Sequence, residues 1–105
     1  MGGTITPDDL ESLLKTKDRP LVLDVRRAAD KQSDPATLPG AAWKDPEKAS
    51  EWGKDLANQD VVIYCVRGGS VSKSVQEKLL SLKVNVKYVE GGLEAWKKAG
   101  KEVMK

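Results

Sequence analysis

Hydrophobic residues along the chain fall into continuous runs and periodic patterns, which predict strands and helices in turn. The nearly continuous apolar runs at 21–25 and 61–64 are typical of strands that are covered on both faces. The segment VKYV at 86–89 predicts another strand. From Ser70 onward, apolar residues recur at intervals of four, four and three, which predicts a helix with one buried face. These residues are Val71, Val75, Leu79 and Leu82.

Capping residues predict three further helices. Thr6 is a suitable cap for a helix over 7–15, which opens with a proline and two acidic residues. An Asp-Pro-Glu sequence opens a second helix that covers 45–58. The last helix covers 93–99, after a turn made by a pair of glycines, and Gly100 ends it.

The segment 26–40 shows no hydrophobic periodicity. It is polar and contains Pro35, Pro39 and Gly40, so we expect a loop that lies over the sheet. Strands that alternate with helices require crossover connections, which predicts an α/β fold with a mainly parallel sheet. No linker or internal repeat interrupts the pattern, so we expect one domain over 1–105.

Composition narrows the classes of partner. The 11.5 kDa chain of 105 residues is 39% hydrophobic and 32% charged, as is typical of a soluble domain, and no apolar run is long enough for a bilayer. The net charge is only +2 and the signs are mixed, so neither a membrane nor a nucleic-acid partner is expected. Lysines at 97, 98, 101 and 105 are typical of a solvated helix face.

The chain has one cysteine and no histidine, which limits its chemistry. One cysteine makes no internal disulfide, and without histidine it builds no zinc site, so we expect no metal and no cofactor. Nothing at the N-terminus resembles a secretion signal, so a cytoplasmic location is the default expectation.

The single cysteine, Cys65, follows the predicted strand 61–64 in the stretch YCVRGGSVS. Parallel sheets bind ligands at the carboxyl ends of their strands, so Cys65 is at an expected binding site. The two glycines allow successive backbone N–H groups to surround one anion next to a helix N-terminus, which stabilises a thiolate without histidine. The alternative is that Cys65 is a small buried hydrophobic residue at a strand end.

The spacing after Cys65 argues against several other cysteine chemistries. A cysteine-dependent phosphatase requires an arginine six residues after its cysteine, and Val71 occupies that position. The same difference weakens the hypothesis of an anion reductase such as an arsenate reductase. A cysteine protease requires an imidazole base, which the chain lacks. Transfer of sulfur itself is the chemistry that remains.

Four segments of the chain together carry a family resemblance. They are LVLDVR at 21–26, LPGAA at 38–42, VVIYCVRGGS at 61–70 and YVEGGLEAWKKAG at 88–100. In this order and spacing they resemble the single-domain rhodaneses, which are sulfurtransferases. The resemblance implies a five-stranded parallel sheet flanked by helices. It also implies that Cys65 accepts a sulfane sulfur from thiosulfate or a persulfide and passes it to cyanide, a thiol or a protein acceptor.

The resemblance further implies which residues bind the sulfur. Cys65 opens a six-residue loop, 65–70, which we call the cysteine loop and in which Gly68 matches the family's glycine. Its N–H groups would hold the terminal sulfur of the persulfide as an anion. Many members carry arginine at the sixth place, where this chain has Ser70. The substrate-binding residues implied are Val66, Arg67, Gly68, Gly69 and Ser70.

Arg67 has two interpretations, either the positive partner of the sulfur donor or a solvent-facing charge. The sequence ATLPGA at 36–41 departs from the usual family motif, so the first wall of the site and its donor preference differ. AAWKDPEKASEW at 41–52, with CVRGGSVS, resembles the branch found with bacterial chromate-resistance proteins. A non-enzymatic alternative, a persulfide carrier or sulfur-sensing module, stays open.

Several other residues have structural interpretations. We expect Asp24 to bond loop amides beneath the site and Arg26 to pair with a nearby acid. Ser70 and Ser72 are expected to cap the following helix. The three tryptophans are expected in the core or at its rim, and Trp43 follows the loop that we expect to border the pocket.

Overall fold

A five-stranded parallel sheet with helices on both faces forms the fold. The computed structural model describes residues 3–17 and 19–104. The sheet order is β1-β5-β4-β2-β3, and every neighbouring pair is parallel. The predicted α/β class is therefore confirmed. The strands are β1 (Thr4–Ile5), β2 (Leu21–Asp24), β3 (Ala42–Trp43), β4 (Asp60–Tyr64) and β5 (Asn85–Val89).

Residues 3–17 and 19–104 contain five α-helices, of which four connect successive strands and the fifth follows β5. Thr6 caps the first of them, since its Oγ1 accepts the N–H of Asp9 at 3.1 Å. The helices are α1 (Pro7–Leu14), α2 (Ala28–Ser33), α3 (Ala49–Trp52), α4 (Ser70–Ser81) and α5 (Gly92–Lys98). None of the helices that the structure describes is long and apolar enough to cross a membrane.

Two apolar clusters cover the two faces of the sheet. Val62 of β4 packs with α1 and α5 on one face, and Ile63 packs with α3 and α4 on the other. The same division separates Val22 from Leu23 in β2. Because side chains of a strand alternate between faces, burial on both sides requires a continuous apolar run. This is the pattern that the sequence shows.

The loop predicted over 26–40 is wrong in part, because α2 forms within it. None of the side chains of Ala28–Ser33 is buried. A helix that buries no side chain has no need of an apolar stripe, so its hydrophobic period is absent from the sequence.

The continuous helix predicted over 45–58 is also wrong. Only α3 is α-helical there, and 3₁₀ turns at Pro46–Lys48 and Gly53–Leu56 flank it. A Cβ on Gly53 would lie 2.5 Å from the Leu79 side chain, so this segment is packed tightly against α4. Tertiary packing here overrides the helix pattern.

The C-terminal segment does not form the uniform solvated face expected of its lysines. Lys97 and Lys98 end α5 and are exposed, but the side chain of Lys101 is only 8% exposed. Its Nζ lies 2.7 Å from an oxygen of Asp8 and 3.0 Å from one of Glu11, which ties this segment to α1. Lys105 lies outside the described residues.

Candidate active site

The cysteine loop lies at the carboxyl edge of the sheet, directly after its central strand β4. Cys65 is 5% exposed and lines an open cavity of about 460 Å³. The loop forms one wall and the segment that follows β2 forms the other. The lining residues are Arg26, Arg27, Asp30, Cys65, Val66, Arg67, Gly69, Ser70 and Val71.

Gly68 makes the turn of the cysteine loop. Its φ of +69° lies in the left-handed region, and a Cβ there would lie 2.9 Å from the Val89 carbonyl oxygen. Both observations explain why glycine is needed at this place. Gly68 is absent from the cavity lining, whereas its neighbour Gly69 lines the cavity and precedes α4 as the N-cap.

The expected caps at Ser70 and Ser72 are wrong. Gly69 is the N-cap of α4 and makes no side-chain bond, and Ser70 is the first helical residue. Ser72 is fully buried, and its Oγ has no hydrogen-bond partner among the described residues. Because Gly69 is the N-cap, Ser70 lies one residue and Ser72 three residues past the capping position.

The carbonyl groups of the cysteine loop are bound by α5. The Cys65 carbonyl accepts the N–H of Leu93 at 2.9 Å, and the Val66 carbonyl accepts that of Glu94 at 3.0 Å. A trans peptide directs its N–H opposite to its C=O. The N–H groups of Val66 and Arg67 therefore lie on the side of the loop away from α5.

Four residues of the cysteine loop after Cys65 line the cavity, namely Val66, Arg67, Gly69 and Ser70. Within residues 3–17 and 19–104, the N–H groups of 66–70 donate to no backbone or side-chain acceptor. Unpaired backbone donors beside the N-terminus of a twelve-residue helix form a site for an anion. The arrangement suits a thiolate at Cys65, or a negatively charged group attached to its sulfur.

Arg67 lies on the rim of this cavity. Its side chain is 80% exposed, and its Nε donates to Glu94 Oε2 at 2.9 Å. The guanidinium is therefore partly engaged before any donor arrives. An exposed position at the rim is compatible with both interpretations of Arg67, and so is its ion pair with Glu94.

A buried ion pair fixes the opposite wall. Arg26 is 1% exposed, and its Nε and Nη2 bind the carboxylate of Asp24, which also accepts the Arg26 N–H at 2.9 Å. Burial opposes the charge, but the carboxylate outweighs it, and the pKa of Arg26 is raised. The same guanidinium donates to the carbonyls of Asp34 and Ala36. The structural roles predicted for Asp24 and Arg26 are confirmed.

Two ends of this wall are tied to other elements. Lys97 of α5 pairs with the Asp34 carboxylate, and this hydrogen bond is the main reason that the pKa of Asp34 is lowered. Beneath the wall, the Tyr64 hydroxyl accepts the Leu38 N–H at 3.3 Å. Burial, helped by the charge of Asp24, raises the pKa of Tyr64 well above its usual range.

Sequence reasoning missed Arg27 and Asp30, which both line the Cys65 cavity. Both belong to the segment interpreted as a loop, whose helix left no hydrophobic signal.

Conversely, Trp43 does not border this cavity. It lines a separate one of about 350 Å³ on α2, where its indole N–H donates to the Arg26 carbonyl at 2.8 Å. Trp96 is a core residue and Trp52 packs at the core's edge, as predicted.

Comparisons with known proteins agree with this architecture. A family model described as Rhodanese-like domain matches residues 6–99. A rhodanese-like domain protein from Staphylococcus aureus is 25% identical, with a TM-score of 0.79 over 100% of both chains. A rhodanese-related protein from Thermoplasma volcanium is 25% identical, with a TM-score of 0.78 over 96% of both chains. No curated protein matches the chain significantly.

One structure of similar fold belongs to a named enzyme. It is a thiosulfate sulfurtransferase from Pseudomonas aeruginosa, which is 24% identical with a TM-score of 0.79. The match covers 99% of this chain but only 19% of that protein. At this identity the similarity establishes the shared fold.

Proposed function

Since the chain belongs to the rhodanese-like domain family, we propose that it is a sulfurtransferase that carries sulfane sulfur on Cys65. The observation that carries the proposal is the row of unpaired N–H groups over 66–70, beside the one thiol of the chain. A persulfide anion on Cys65 would give these donors an acceptor. Neither a metal nor a histidine is needed for that chemistry.

The proposed reaction has two displacements. The Cys65 thiolate attacks the outer sulfur of thiosulfate, so that a Cys–S–S bond forms while the S–S bond of thiosulfate breaks and its electron pair leaves with sulfite. An acceptor, either cyanide or a thiolate, then attacks the terminal sulfur and restores the Cys65 thiolate. With cyanide the product is thiocyanate. Each step conserves charge, and neither consumes an oxidant or a reductant.

The chain's own residues contribute binding and orientation. The N–H groups of the cysteine loop stabilise the negative charge on the terminal sulfur. The contacts of α5 with the Cys65 and Val66 carbonyls hold the loop in place before the donor binds, so little ordering remains for the reaction to supply. A reducing compartment such as the cytoplasm fits this function, because it keeps the thiol free.

Intact mass spectrometry tests the proposal. We expect thiosulfate to add one sulfur atom to the purified protein and cyanide to remove it as thiocyanate. Cys65→Ser should abolish the mass gain and leave the unfolding midpoint nearly unchanged, because the substitution is close to isosteric. Sulfur transfer that persists in Cys65→Ser would refute the proposed role of Cys65. Loading of the wild type with negligible turnover on small acceptors would instead favour the persulfide carrier.

A further inference from the structure

Three arginines line the Cys65 cavity, and they differ in their pairing. Arg26 is buried and bound by Asp24, and Arg67 is paired with Glu94. Arg27 has no ion pair and no side-chain hydrogen bond to any residue within 3–17 or 19–104. Among the three, only the Arg27 guanidinium has no side-chain partner in the described part of the chain.

The position of Arg27 relates it to the start of α4. Arg27 lines the Cys65 cavity and also an adjoining cavity of about 190 Å³. Ser70 and Val71 line the same two cavities. Arg27 therefore borders the same opening as the cysteine loop and the first turn of α4, so a ligand held there would contact residues of both.

We propose that Arg27 binds the oxyanion end of the sulfur donor. The inference rests on the proposed function and names its donor class, in which the sulfane sulfur is attached to an –SO₃⁻ or –SO₂– group, as in thiosulfate and the organic thiosulfonates. Such a donor has two ends that need different partners. Its outer sulfur must reach Cys65, while its oxygens accept hydrogen bonds that a planar guanidinium can supply in pairs.

The same contact is kept as the leaving group departs, so Arg27 binds the donor and the departing sulfite about equally. When the S–S bond of thiosulfate breaks, the electron pair moves onto sulfite, whose oxygens remain beside Arg27. The persulfide charge stays at the cysteine loop. Arg27 and the loop donors therefore each face one of the two anions that the step produces.

Acidic residues of the cavities repel an anionic donor, so the proposal also predicts that removing their charge strengthens donor binding. Asp30 lines the Cys65 cavity, and Glu47 lines the adjoining one. Neither carboxylate is paired with a cation within residues 3–17 and 19–104. Removing the charge of Asp30 should strengthen donor binding, whereas removing that of Arg27 should weaken it.

The experiment measures the initial rate of Cys65 persulfide formation by intact mass as a function of thiosulfate concentration. For Arg27→Gln we expect the half-saturating concentration to rise about tenfold, as for the loss of a hydrogen bond to a charged group, while the maximal rate changes less than about twofold. For Asp30→Asn we expect it to fall about two- to threefold. Methanethiosulfonate carries one negative charge instead of two, so its half-saturating concentration should rise less in Arg27→Gln than that of thiosulfate.

Lys31→Gln is the matched control. It removes the same charge from within α2, four residues after Arg27, which is the N-cap of that helix, but Lys31 lines the cavity that contains Trp43. Its half-saturating concentration should stay within about twofold of the wild type. An equal rise in both variants would mean that overall charge attracts the donor, and would overturn the assignment to Arg27. A loss in Arg67→Gln with none in Arg27→Gln would overturn it as well.

Failure of the proposed function is distinguishable from failure of this inference. A wild-type protein that neither donor loads would overturn the proposed donor chemistry and the role of Arg27 together. A wild type that loads normally, with an Arg27→Gln variant that matches it at every thiosulfate concentration, would overturn the role of Arg27 alone.

Discussion

Replacing Gly92 with alanine tests the contact between α5 and the cysteine loop. Gly92 has a φ of +60°, and a Cβ built there would lie 2.4 Å from the Cys65 carbonyl oxygen and 2.7 Å from that of Val66. Ordinary contacts need about 3.5 Å, so the loop and the helix must move apart by about 1 Å. The movement stretches the hydrogen bonds from Leu93 and Glu94 that hold the loop.

Two costs add in this variant. An alanine in the left-handed region costs about 1 kcal/mol, and forcing apart a packed contact typically costs 1–3 kcal/mol more. We therefore expect Gly92→Ala to lower the free energy of unfolding by about 2–4 kcal/mol. Gly100 separates the two costs, because its φ is +75° and, apart from its chain neighbours, no atom of the described residues lies within 4 Å of its Cβ position. Gly100→Ala should lose only about 1 kcal/mol.

Chemical denaturation of both variants measures the difference, and thiosulfate loading of Cys65 reports the loop. Gly92→Ala should load slowly at concentrations of denaturant where it is still folded, whereas Gly100→Ala should load like the wild type. Equal destabilisation of the two variants, with normal loading in both, would show that α5 does not hold the cysteine loop.

Two further predictions concern the opposite wall. Lys97→Met should cost about 0.5 kcal/mol at neutral pH, as is usual for an exposed pair. The pKa of Asp34 is lowered in the folded state, so this stabilisation exists above the ordinary carboxyl range and disappears as pH falls; unfolding curves of both proteins should therefore converge in acid. In Tyr88→Phe, absorbance titration of the remaining tyrosine, Tyr64, should show phenolate only where alkali unfolds the protein, because burial raises its pKa; ionisation in the folded state would contradict this.

The centre of the fold could be predicted from the sequence because burial on both faces leaves a strong signal. Strands β2 and β4 contain continuous apolar runs, β5 is apolar apart from Asn85 and Lys87, and α4 has a clear apolar face. The edge strands β1 and β3 have two residues each, which is too short for any period to appear. The family resemblance, and not the periodicity, supplied the count of five strands.

The site could be predicted on one side only. The position of Cys65 and its glycine turn follow from local sequence, because a strand, a turn and a helix succeed one another there. The facing wall depends on α2, which buries no side chain and so has no pattern that marks it. Arg27 and Asp30 come to face Cys65 through the order of the strands, which the local sequence does not encode.

The binding of the loop carbonyls by α5 also changes the strength of the loop's donors. A peptide group whose C=O accepts a hydrogen bond is polarised, and its own N–H becomes a better donor, by about 10–30% per bond. The peptides that begin at Cys65 and Val66 accept from α5 and present the N–H groups of Val66 and Arg67. Helix α5 therefore acts cooperatively on the anion site without touching the anion. A change in α5 that spares every side chain of the cavity still weakens the electrostatic stabilisation of the sulfur.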